Sequence, residues 1–336
     1  MWHHHIIKGA AKTAAAMSFL LALGGCALLP HPAEPSTAAT SPATFQVSGQ
    51  ELHQPLTLIA YGDMRFTDPS NVTATNPKAR QALIDRIAQE HPDGIFLNGD
   101  VPYMGGNPDD YAEYHRETTA WRDASLRIYP ALGNHEFKKC EEQACLANWW
   151  SEFPQLRGLR WYSVQMGPQF YGIALDSDTS LLPGSAQAQW LQAQLAALPA
   201  SVRFVLIWMH HPPVDDLQAD GDDNPRGNEI ALREFLKTAA PGLRAKLLVV
   251  AAHVHNYERF QRDGVSYIVS GGGGAKPSQV VRGPDDLFTG NSFPNYHYVK
   301  LVLDRDTLHG TMYRLDPQAA SPAWASADHF EIPAAQ

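Results

Sequence analysis

Five apolar runs in this chain of 336 residues each stop at a polar cluster, and that repetition constrains the fold more than any other feature. Residues 56–61 run into Gly62-Asp63, and residues 94–98 run into Gly99-Asp100 with Tyr103 three positions on. Residues 126–132 end at Gly133-Asn134-His135, 202–209 at His210-His211-Pro212, and 246–252 at His253-Val254-His255. Short apolar runs bounded by turn residues are the pattern of buried strands. Helical spacing falls between them: over 76–89, Ala79, Leu83, Ile84 and Ile87 share one face, and helices are also expected near 109–122, 186–198 and 229–239. Alternating strands and helices predict an α/β fold whose strand ends share one edge, where such sheets carry their sites. A hairpin at Gly167-Pro168 and an antiparallel pair over 298–303 and 308–315 complete the expected elements.

Charge and cysteine content exclude several classes of function. Lys and Arg number 26 against 35 Asp and Glu, a net charge of −9, which opposes a wide nucleic-acid-binding face. Three cysteines are too few for a disulfide framework, and none forms a C-x-x-C pair. At the N-terminus, Lys8 and Lys12 accompany an apolar run over 14–23 that is too short to span a bilayer and ends at Gly24-Gly25-Cys26. That is the layout of a secretory leader. Leu23-Gly24-Gly25-Cys26 also resembles a bacterial lipobox, whose cysteine is acylated and becomes the new N-terminus. The expected organisation is therefore a lipoprotein signal peptide over 1–25, a lipidated cysteine and Pro/Ala/Ser/Thr-rich tether over 26–50, and one catalytic domain over 51–336. Export with a lipid anchor on Cys26 follows. Ala27 resembles the choice for an outer membrane, facing the periplasm; without acylation the chain would be periplasmic or secreted.

Singly, each strand-end cluster has an ordinary explanation. Gly-Asp after a strand is commonly a turn, and His-Pro can simply end a strand. Together they place carboxylate, imidazole, amide and phenol donors at successive strand ends, with no thiolate among them. Such a set suits borderline and hard metal ions and points to a two-metal hydrolytic site.

Gly62-Asp63-Met64-Arg65, Gly99-Asp100-Val101-Pro102-Tyr103, Gly133-Asn134-His135-Glu136, Met209-His210-His211-Pro212 and Ala252-His253-Val254-His255 follow one another in order. The series resembles that of the calcineurin-like metallophosphoesterases and, within them, the purple acid phosphatases. The resemblance implies a four-layer αββα sandwich, two mixed sheets flanked by helices. It implies that Asp63, Asp100, Tyr103 and His255 hold metal 1, Fe(III), and that Asp100, Asn134, His210 and His253 hold metal 2, a divalent Fe, Zn or Mn. Many metallophosphoesterases carry Asp-x-His in the first motif; here Arg65 replaces that histidine and Tyr103 compensates, as in the purple acid phosphatases.

The implied activity is phosphoric ester hydrolysis, foremost of small-molecule phosphomonoesters, by in-line attack of a metal-bound hydroxide. The alternatives are a phosphodiesterase acting on nucleotides, cyclic nucleotides or phospholipid headgroups, and a non-catalytic surface protein. His135 is expected to bind a phosphate oxygen or protonate the leaving alcohol, or else to brace Asn134. Arg65 either grips phosphate or forms a salt bridge. Glu136 and Glu258 are expected behind the ligands or at a helix start, not among the ligands, and His211 has the weaker claim of its pair. The acidic stretch over 214–223 is expected to rim the site and disfavour highly charged substrates. Cys140 and Cys145 form a disulfide or remain two thiols. Expected partners are the phosphate ester and, through Cys26, a membrane, with no extended nucleic acid.

Overall fold

The computed structural model describes residues 43–219, 225–291 and 293–335. These lie within one unit of the chain, Ala39–Gln336. The leader, Cys26 and most of the tether fall outside the described residues, as does the 220–224 part of the acidic stretch. Among the described residues, no helix is long and apolar enough to cross a membrane.

Two mixed sheets form the centre. One has six strands in the order Ala323–Pro333, Thr307–Asp316, His297–Asp304, Leu56–Tyr61, Gly94–Leu97 and Ile128–Pro130. Its first four strands pair antiparallel and its last three parallel. The other has seven, in the order Phe45–Val47, Tyr162–Met166, Phe170–Ala174, Phe204–Trp208, Lys246–Ala251, Val265–Ser270 and Tyr257–Arg262.

Side-chain alternation along the strands explains the layers. In Phe204–Trp208, Phe204, Leu206 and Trp208 face the core shared with the six-stranded sheet, while Val205 and Ile207 face outward. The Phe96 ring joins the two sheets, with its centroid 4.7 Å from that of Trp208 and 6.0 Å from that of Phe170. Leu191, Leu195, Leu232 and Leu236, from helices Ala186–Ala196 and Gly227–Ala239, cover the outward face of the seven-stranded sheet. Helix Pro77–Gln89, capped by the Asn76 side chain, buries Leu83, Ile84 and Ile87 with the first core, and Trp121 donates to the Ile84 carbonyl at 3.0 Å. The expected αββα sandwich is the observed one.

Differences from expectation occur where sequence signals are weak. Phe45–Val47, inside the stretch read as tether, pairs parallel with Tyr162–Met166; three residues are too few to show a period. The single helix expected over 109–122 is two, Pro108–Glu117 and Thr119–Asp123, broken at Thr118, whose hydroxyl donates to the Tyr114 carbonyl at 2.6 Å. Helix Glu142–Glu152 and strand Tyr257–Arg262 were not expected. Nor was strand Ala323–Pro333, an edge strand in which only Phe330 and Ile332 are buried.

Because Phe96 is shared by both sheets, Phe96→Ala should cost about 3–5 kcal/mol. Chemical denaturation checks this as a lowered midpoint with an unchanged slope.

Candidate metal centre

The loops leaving the parallel strands are laced together through their backbones. The Asp63 amide donates to the Gly99 carbonyl at 3.2 Å, Arg65 to Asp100 at 2.9 Å, and Phe66 to Val101 at 2.7 Å. To make these turns, Asp63, Arg65, Asp100 and His253 adopt positive φ, at 61°, 50°, 57° and 69°. For residues with a Cβ this backbone costs on the order of 1 kcal/mol each, and it collects at functional sites. Gly99 has no substitute, since its φ is 85° and a Cβ there would lie 2.8 Å from the His210 ring.

The resulting cluster brings six of the seven expected ligands into one chain of contacts. Asp100 is fully buried; its Oδ1 accepts the His135 amide at 2.9 Å and lies 3.2 Å from His210 Nε2. His210 Nε2 is also 3.0 Å from Asn134 Oδ1 and 3.1 Å from His253 Nδ1. Asp63 Oδ2 accepts the His253 amide at 2.8 Å, while its Oδ1 stands 3.4 Å from His255 Nε2. The donor atoms of Asp63, Asp100 and His210 lie within 4.8 Å of one another. Tyr103, the seventh, sits on the adjoining loop with its ring 5.5 Å from that of His135.

Tautomers decide what these contacts mean. His210 Nδ1 lies 2.9 Å from the Asn98 carbonyl and His255 Nδ1 lies 2.6 Å from the Lys276 carbonyl. A carbonyl only accepts, so each Nδ1 carries the proton and each Nε2 presents a lone pair. His210 Nε2 therefore faces two oxygen acceptors with no proton to give either. Asp63 Oδ1 and His255 Nε2 face each other, both buried and both without a hydrogen bond. Lone pairs converge this way around a cation, and neighbouring N and O ligands at about 2.0–2.2 Å from an ion stand about 3 Å apart. The donor set fits metal ions.

Without a metal, protonated imidazoles would take the cation's place: burial alone would push both carboxyls up, but the positive charge of His255 pulls Asp63 below its ordinary value, and those of His210, His135 and Arg65 hold Asp100 well below it. Arg65 reaches Asp100 Oδ2 with Nε at 3.2 Å and Nη2 at 3.1 Å. Its guanidinium is thus a salt-bridge partner of a carboxylate that is also an expected ligand. Glu136 is not in the donor cluster. It accepts the amides of Asp100, Val101 and Gly133 at 3.0, 2.8 and 2.8 Å, tying the second motif to the third. Glu258 is buried farther back and accepts the Asp216 amide at 2.6 Å. His211 Nδ1 meets the Ser177 hydroxyl at 2.8 Å, and its ring lies 4.2 Å from that of His253.

Two features were not legible in sequence. The expected acidic rim is partly absorbed by the fold: Asp216 is buried and its Oδ1 accepts the Gly283 amide at 3.0 Å. Lys138, which no motif singled out, directs its ammonium at His135 Nε2. On the other side, a cavity of about 210 Å³ opens beside Asn134 and His253, walled by His211, Pro212 and Arg226. Cys140 and Cys145 are joined by a disulfide next to Lys138.

Burial drives His135 and His297 down to about 4 and also lowers His210. A histidine kept neutral by folding has its ordinary value of about 6.5 when unfolded, so stability is lost as pH falls through that value toward about 4. His297→Gln should make the stability of metal-free protein less steep in pH between about pH 6 and about pH 4.5, by close to one proton, or about 1.4 kcal/mol per pH unit. Denaturation at a series of pH values measures that slope.

Solved structures share this architecture at low identity, a likeness of fold alone. A purple acid phosphatase from yellow lupin (Lupinus luteus) seeds matches with a TM-score of 0.66 at 17% identity, over 85% of this chain and 55% of that one. The chain thus spans little more than half the lupin enzyme. A dimetal phosphatase from Danio rerio gives 0.57 at 16% identity, over 83% of this chain and 99% of that one. GAP50, the anchor in the inner membrane complex of Plasmodium, gives 0.58 at 13% identity, over 84% and 89% respectively. No curated protein sequence matches the chain significantly. The model for calcineurin-like phosphoesterases matches residues 56–257, more than half the chain and the span that contains every residue of the metal cluster, and the chain belongs to that family.

Proposed function

We propose that the chain is a binuclear metal-dependent phosphomonoesterase of the acid phosphatase type. The observation that carries this is the convergence of Asn134 Oδ1 and Asp100 Oδ1 on His210 Nε2, at 3.0 and 3.2 Å, with the His210 Nδ1 proton engaged elsewhere. Asp63, Asp100, Tyr103 and His255 would hold one ion, and Asp100, Asn134, His210 and His253 the other. A phenolate and two carboxylates favour Fe(III) in the first position; the amide and imidazoles of the second suit divalent Fe, Zn or Mn. Bound ions supply Lewis acidity toward the phosphoryl oxygens and toward water.

The chain's own groups do the rest. Asn98 and Lys276 carbonyls hold two imidazoles in the ligating tautomer, and Glu136 keeps the Asp100 and Asn134 loops in register. Arg65 offsets the charge of Asp100. His135 donates from Nδ1 to the Tyr103 carbonyl, which leaves Nε2 as an acceptor at rest. In this state it orients neighbouring groups; donation to the leaving alcohol would require a proton gained first. The cavity walled by His211, Pro212 and Arg226 is the place for the alcohol portion of a small ester.

Metal-reconstituted protein should hydrolyse an aryl phosphomonoester faster than the matching diester, and Asp100→Asn should lower kcat/KM by more than about 100-fold. A preference for the diester would overturn the monoester assignment. Fe(III) with Tyr103 predicts a visible charge-transfer band that disappears in Tyr103→Phe; a colourless, active protein would refute the iron assignment alone.

We also propose export and lipid attachment at Cys26, supported by the leader sequence and by the Cys140–Cys145 disulfide, which suits an oxidising compartment. Expressed in a bacterium, Cys26→Ala protein should leave the membrane fraction. Retention there would contradict lipid anchoring.

A further inference from the structure

Lys138 lies outside the metal-ligand motifs, yet its ammonium meets His135 Nε2. That nitrogen stands 3.7 Å from Asp100 Oδ2, the oxygen that also holds Arg65 Nη2 at 3.1 Å. Three histidines of this site share one device: Nδ1 donates to a backbone carbonyl, from His210 to Asn98, His255 to Lys276 and His135 to Tyr103. Two of the resulting Nε2 lone pairs face the metal cluster. The third faces Lys138, so a side chain supplies the cation there. His135 uses one of the three ammonium N–H groups and leaves two. Lys138 is solvent-exposed, so those two are open to a ligand arriving from solution.

The backbone that carries it is firmly held. The Lys138 amide donates to the His135 carbonyl at 3.2 Å, and the Lys138 carbonyl accepts the Gly106 amide at 2.9 Å. The Gly105 amide also donates to His135, at 2.8 Å, an approach so close that a Cβ on Gly105 would sit 1.7 Å from the Glu136 carbonyl oxygen. Two residues on, the Cys140–Cys145 disulfide closes the segment. The Lys138 backbone is thus pinned between the Asn134 turn and a covalent loop.

We propose that Lys138 and Arg65 form a cationic clamp for the phosphate group, with Lys138 the substrate-binding residue that favours a doubly charged phosphomonoester over a singly charged diester. This rests on the phosphoesterase function proposed above and deepens it. A monoester dianion has three non-bridging oxygens to satisfy, a diester two. An ammonium and a guanidinium on the Asp100 Oδ2 side hold the extra oxygen and its charge. Burial of Asp216 removes part of the opposing negative charge that the sequence suggested.

The test compares metal-loaded wild-type protein with Lys138→Met and Lys138→Arg. Calorimetric titration with inorganic phosphate should show affinity falling by roughly 10- to 100-fold in Lys138→Met and recovering in large part in Lys138→Arg. KM for an aryl phosphomonoester should rise by a similar factor with a smaller change in kcat, while binding of dimethyl phosphate, a monoanion, should weaken less. Phosphate affinity within twofold of wild type in Lys138→Met, or equal losses for phosphate and dimethyl phosphate, would overturn the clamp. Wild-type protein that binds phosphate through Lys138 but turns over no ester would instead overturn the phosphatase function and leave the clamp standing.

Discussion

The buried carboxylate of Asp100 is the element on which the rest of the site depends. Removing a carboxylate from water is costly unless its oxygens are fully engaged. Here Oδ1 takes the His135 amide and faces His210, while Oδ2 takes the Arg65 guanidinium. Those partners come from three different segments, so one charge fixes the relative positions of the Arg65, Asn134-His135 and His210 loops. Glu136 repeats the arrangement from behind, with its own buried carboxylate spread over three backbone amides.

Holding ligands this way requires a strained backbone, and the two-sheet core supplies the stability that offsets it. Four residues of the site lie in the left-handed region, each at a cost the local sequence does not repay. Aromatic packing of Phe96 against Trp208 and Phe170 secures the strands from which the loops depart. The same rigidity extends to tautomers. Each Nδ1-to-carbonyl hydrogen bond settles in advance which imidazole nitrogen is available, so a ligand entering the site meets preorganised lone pairs and does not have to select them.

Much of this was legible residue by residue. Asp63, Asp100, Asn134, His210 and His253 each follow an apolar run, and a run that ends in a polar cluster marks a strand end whatever the rest of the chain does. The Leu83, Ile84, Ile87 face of the helix over 76–89 was an equally local signal. Strand Ala323–Pro333 was hidden because an edge strand buries few side chains and so lacks a period. The break at Thr118 was hidden because its hydroxyl competes for a helix carbonyl through a contact that spacing does not encode. Lys138 was passed over and Asp216 misread for one reason: the sequence counts charges but does not show which way they point.

By itself the sequence determined the alternation of strands and helices, the donor chemistry at each strand end, and hence the kind of site the fold would carry. These follow from local periodicity and side-chain chemistry, which act over a few residues. Tertiary structure alone decided that Arg65 grips Asp100, that backbone carbonyls lock three histidine tautomers, that Asp216 turns inward and that Lys138 turns toward His135. All of these join segments far apart in the chain or depend on a side chain's direction, and only the packed sheets bring such groups within hydrogen-bonding reach.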